Sequence, residues 1–109
     1  MKIKIFDNAM LPSCFMAGAE GSKGDAFLDF CLDGAWRGFD ISVSFCTPSG
    51  ALYTEAYKGE PLRVPDGVMN ERGRTRFSVV GKGNGVERVT AKGELYVIGS
   101  VKKEVESVE

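Results

Sequence analysis

Histidine is missing from this sequence altogether, and with it the side chain that most often serves as general base near neutral pH and as a metal ligand. Cysteine is scarce and odd in number. Cys14, Cys31 and Cys46 form no C-x-x-C pair, so neither a disulfide framework nor a zinc knuckle is indicated. We read them as reduced thiols of a protein made in a cytosol. Cys31 and Cys46 fall in strand-like runs, which favours small buried hydrophobes over nucleophiles, since a nucleophilic thiol needs an activating base. An excess of charge of one sign is lacking too: fourteen Lys and Arg stand against fifteen Asp and Glu, for a formal net charge of −1. No basic footprint therefore marks a nucleic-acid partner. No apolar run reaches the ~18 residues a membrane helix needs. The opening Met1-Lys2-Ile3-Lys4-Ile5-Phe6-Asp7 meets charge too early to hold a signal-peptide core, so neither a leader nor a membrane partner is expected.

What is present is the composition of one globular domain: 109 residues, 43% hydrophobic, 27% charged and 10% aromatic. The dominant period is two. Ile3 and Ile5 alternate with Lys2 and Lys4; Leu28, Phe30 and Leu32 oppose Asp29; Ile41, Val43 and Phe45 oppose Asp40, Ser42 and Ser44; Phe77 and Val79 oppose Arg76 and Ser78. Turn formers separate these runs. Asp33-Gly34 and Gly83-Asn84-Gly85 read as tight turns, and Thr47-Pro48-Ser49-Gly50 as a Pro-then-Gly corner. Strands are expected over 2–6, 26–32, 39–46, 51–57, 62–64, 74–81, 86–91 and 94–100, with one helical turn over 66–70 and a long irregular connection over 7–25. About seven short strands at this spacing predict an all-β chain of two packed antiparallel sheets. The expected organisation is an N-terminal strand and irregular segment (1–23), the sandwich (24–101) and a charged C-terminal tail (102–109).

Few constellations carry chemistry. Gly81 to Gly85 resembles a phosphate loop only in its glycines, because a phosphate cradle needs a helix after them and Val86 to Thr90 read as strand. Asp25, Asp29 and Asp33 share one strand face but stand about 13 Å apart per step at ~3.3 Å per residue, too far to share a cation or act as an acid–base pair. Asp66, Asn70 and Glu71 lack the ligand ladder of a calcium loop. No Ser stands in a Gly-x-Ser-x-Gly elbow. No catalytic residue, cofactor or metal is expected. Arg72, Arg74, Arg76 and Arg88 form the one basic concentration, readable as a solvated sheet face or as a stripe for phosphate or an acidic partner.

The aromatic and methionine residues are the remaining candidates. Trp36, Tyr53, Tyr57 and Tyr96 could pack in the core, anchor an interface or stack on a sugar. Met10, Leu11, Phe15 and Met16 lie in the expected irregular segment, where an apolar loop makes either a packing element or a contact patch for another subunit. Met10, Leu11, Phe15, Met16, Trp36 and Tyr57 are thus the candidate interface set.

From Gly24-Asp25 onward the signals fall in a familiar order: Leu28-Asp29-Phe30-Cys31-Leu32-Asp33-Gly34, Phe39-Asp40-Ile41-Ser42-Val43-Ser44-Phe45, Pro48-Ser49-Gly50, Val64-Pro65-Asp66-Gly67-Val68, Arg74-Thr75-Arg76-Phe77-Ser78-Val79-Val80-Gly81, then Gly85, Thr90, Leu95-Tyr96-Val97 and Ser100. Over residues 24–101 this resembles the N-terminal immunoglobulin-like domain of phage baseplate upper proteins and related tailed-phage structural proteins. The resemblance implies an immunoglobulin-like β-sandwich in a baseplate, tail, neck or decoration component of a virion, which forms a homo-oligomer, docks on other virion proteins and catalyses nothing. A carbohydrate-binding or adhesive module is the alternative.

Overall fold

The computed structural model describes residues 1–90 and 92–100; the charged tail over 102–109 lies outside them. The period-two runs become strands β1 (Lys2–Phe6), β2 (Ala9–Leu11), β3 (Cys14–Ala19), β4 (Phe27–Leu32), β5 (Asp40–Cys46), β6 (Leu52–Tyr57), β7 (Leu62–Arg63), β8 (Gly73–Gly83), β9 (Val86–Val89) and β10 (Gly93–Ile98). A 3-10 turn over Gly34–Trp36 follows β4, and one helical turn, α1 (Asp66–Met69), follows β7. The fold is all-β. One sheet runs β2-β1-β4-β7; the other runs β3-β10-β8-β5-β6, with β9 beside the far end of β8.

Three expectations change. Among the described residues ten strands replace about seven, because the segment expected to be irregular supplies β2 and β3. The sheets are mixed rather than antiparallel: β1 pairs with β4, and β3 with β10, in parallel. Parallel neighbours need a crossover between them, and the chain makes one by leaving β1 through β2, passing to the other sheet in β3, and returning in β4. Asp33-Gly34 is not a hairpin turn; Asp33 caps the 3-10 turn, its Oδ1 accepting from Ala35 N at 3.1 Å.

Other turns follow their residues. Asn84 and Gly85 both hold positive φ (51° and 73°) between paired Gly83 and Val86, the double left-handed geometry that twisted two-residue hairpins require. At the β5–β6 corner Gly50 has φ 90°, and the Thr47 hydroxyl accepts from Ala51 N at 3.0 Å.

The inner faces of the two sheets share one core. Ile3, Ile5, Leu28 and Phe30 from the first sheet meet Val43, Phe45, Phe77, Val79, Leu95 and Val97 from the second. Phe45 and Phe77, register partners on β5 and β8, stack tilted at 6.1 Å between centroids. Cys31, expected to be buried, is exposed: with Phe30 facing in, alternation turns its neighbour outward.

Candidate functional site

The six candidate interface residues divide sharply. Met10, Phe15, Trp36 and Tyr57 belong to the core, while Leu11 and Met16 are each 62% exposed. Phe15 meets Phe77 edge-on at 5.9 Å. Trp36, 2% exposed, donates its indole N–H to Asp7 O at 2.7 Å and lies 5.4 Å beneath the Arg88 guanidinium, centroid to Cζ; Arg88 in turn pairs with Asp7. The Tyr57 ring packs edge-on against Phe30 at 5.1 Å, and burial pushes its hydroxyl pKa above the usual 10.0. Tyr53 is half-buried against α1, where a side chain at Gly67 would overlap its hydroxyl. Neither Trp36 nor Tyr57 is presented as a sugar platform.

The structure also separates the charged candidates. Arg74 and Arg76 lie on the outer face of β8, but Arg88 is turned inward over Trp36. Asp66 pairs with Arg63 at 2.8 Å, and Glu71 accepts from Ser49 N at 3.0 Å. Hydrogen bonds from Thr47 and Ser49 hold the Glu71 carboxyl below its usual range. Among the described residues no group of three or more Cys, Asp or Glu is placed to hold a metal ion, and no helix is long and apolar enough to cross a membrane.

What remains is built around Met16. Among the described residues its strand, β3, is the outermost strand of its sheet and pairs with β10 alone. The ladder between them runs from Glu94 N to Ser13 O at 2.7 Å to Glu20 N donating to Ile98 O at 2.7 Å. Alternation then turns the main-chain groups of Cys14 and Met16 away from β10. The strand reads CFMAGA and contains neither charge nor proline, two of the features that blunt an edge against pairing with another chain; it carries a third, a bulge between Met16 and Gly18, which leaves Cys14 to Met16 as the regular stretch of the edge. A cleft of about 180 Å³ opens beside it towards the other sheet, lined by Met1, Phe15, Met16, Asp25, Phe27 and Val64 among others. On the outer face Met16 stands in register with Tyr96, and Ile98 follows two residues along β10; all three are exposed. Edge, cleft and apolar strip meet at one place.

Ile98 escapes the sequence reading, and Tyr96 enters it only as one of four candidate aromatics. Their signal is present in Leu95-Tyr96-Val97-Ile98, where Leu95 and Val97 claim the buried face and so leave two large apolar side chains on the wet one. The chain matches no protein-family model, and no curated protein sequence matches it.

Proposed function

We propose that this chain is a non-enzymatic structural subunit of a tailed-phage or prophage virion, an immunoglobulin-like β-sandwich that oligomerises and docks on other virion proteins. The virion assignment rests on the resemblance over residues 24–101. The observation that carries the docking role is β3, an edge strand without charge or proline flanked by a cleft of mixed polarity and by exposed Met16, Tyr96 and Ile98. An added strand gains main-chain hydrogen bonds from the edge and pockets for its alternate side chains. Large exposed apolar groups beside such an edge gain from leaving water, at roughly 25 cal/mol per Å².

The test is a chain carrying Met16→Asp and Ile98→Asp, both exposed positions, compared with the parent by sedimentation velocity over a concentration series. The parent is expected to associate at micromolar concentration and the variant, with an unchanged circular dichroism spectrum, to sediment as a monomer. Identical sedimentation of the two would remove β3 as the docking edge.

A further inference from the structure

A second surface, on the same outer face but across β8 from Met16, has a different chemistry. A shallow trough of about 250 Å³ crosses β8, β5 and β6. Its floor is made of small side chains, Ser44, Cys46 and Ser78, with Ser44 opposite Ser78 and Cys46 opposite Arg76. One wall is Leu52, 77% exposed and in register with Cys46. The other wall is cationic: Arg76 and Lys92.

Those two cations have no carboxylate partner among the described residues, and the reason lies on β10. Glu94 stands opposite Arg76 in the ladder, yet its carboxylate pairs with Arg74 at 3.3 Å and accepts from the Tyr96 hydroxyl at 3.3 Å. Arg74 is thereby neutralised and Arg76 is not; the Arg76 guanidinium leans instead over Cys46, Nη2 to Sγ 4.0 Å. Lys92 directly precedes β10, so two uncompensated positive charges stand on the rim of one trough; like charges repel, and an anion between them relieves that repulsion while accepting paired N–H donors from the arginine.

We infer that this trough binds an acidic peptide segment, one glutamate or aspartate carboxylate seated between Arg76 and Lys92 and an aliphatic side chain against Leu52. Charge complementarity selects the anion. Two cations in a chain of net charge −1 fall short of the many phosphate contacts that hold a nucleic acid, and a free phosphate makes no use of the apolar wall. From β8 to β6 is two inter-strand steps, roughly 10 Å, the span of about three residues of extended chain.

The probe is an end-capped peptide of alternating glutamate and valine, titrated into the full chain and followed by backbone amide shifts, with an alternating lysine and valine peptide as the control. The glutamate peptide is expected to bind saturably, shifting the amides around Ser44, Cys46 and Ser78. The double change Arg76→Gln with Lys92→Gln should weaken it tenfold or more, and Arg74→Gln should leave it within about twofold. Absence of saturable binding, equal binding of the lysine peptide, or equal losses from Arg74→Gln and Arg76→Gln would each overturn the inference. Loss of self-association in the Met16 and Ile98 variant leaves the trough intact, so the two surfaces fail separately.

Discussion

The hydroxyl of Tyr57 stands where a strand is missing beside Phe30. Strand β7 pairs with β4 only at Phe27 and Leu28, so the main-chain groups of Phe30, pointing to the same side as those of Leu28, have no strand to meet. The Tyr57 hydroxyl accepts from Phe30 N at 3.2 Å, and its proton is shared between Phe30 O at 3.1 Å and Asp29 Oδ1 at 2.9 Å. One side chain of the second sheet thus closes the edge of the first. Replacing Tyr57 by Phe leaves a buried N–H unpaired, which costs about 1–3 kcal/mol, measurable by urea unfolding.

The same residue sets an alkaline dependence. Burial raises the folded pKa of Tyr57 above 10.0, so the stability it contributes is complete below the unfolded pKa and is lost as pH rises through the folded one. Unfolding midpoints measured between neutral pH and pH ~11 should fall less steeply for Tyr57→Phe than for the parent.

Gly93 is a packing requirement. An added Cβ there would come within 2.5 Å of the Phe77 ring and 2.6 Å of the Met10 sulfur, both buried. Gly93→Ala should cost about 1–3 kcal/mol through overpacking. Shortening the opposing side chain in the double variant Gly93→Ala, Met10→Ala should make the two losses less than additive. Strict additivity in a double-mutant cycle would contradict the contact.

Much of this architecture is legible in the residues. Ile41, Val43 and Phe45 alternate with polar neighbours and form β5; Asn84-Gly85 announces its hairpin. Strand β3 is hidden for a physical reason: Cys14 to Ala19 carries apolar or small side chains on both faces, so no alternation marks it. That same property leaves the edge without charge or proline, and only the bulge between Met16 and Gly18 interrupts it. The parallel partners of β1 and β3 are equally illegible, since residues far apart in the chain choose them. Trp36 and Tyr57 mislead because an amphipathic ring suits a buried site with one polar partner as well as an interface; Asp7 O and Phe30 decide the matter here.

The Arg88–Trp36 contact has a direct optical readout, because Trp36 is the single tryptophan. Arg88→Met removes the cation above the ring and the ion pair to Asp7. The expected result is a changed emission spectrum with a loss of about 0.5–1 kcal/mol. An unchanged spectrum would contradict the stacked arrangement.

Acid stability has a specific contributor in Glu71. Hydrogen bonds from Thr47 first, then from Ser49, lower its pKa below 4.5 in the folded chain. The stability it supplies is therefore present above the unfolded pKa and disappears as pH falls through the lower folded value. Glu71→Gln should flatten the acid limb of the unfolding midpoint plotted against pH, leaving the neutral and alkaline limbs parallel to the parent.

The docking role of β3 is tested most directly by the mass of the native chain in solution, read by light scattering at micromolar concentration. Association through this edge predicts a particle of two or more times 11.8 kDa; a uniform species of one chain mass, unchanged as concentration rises, would contradict it.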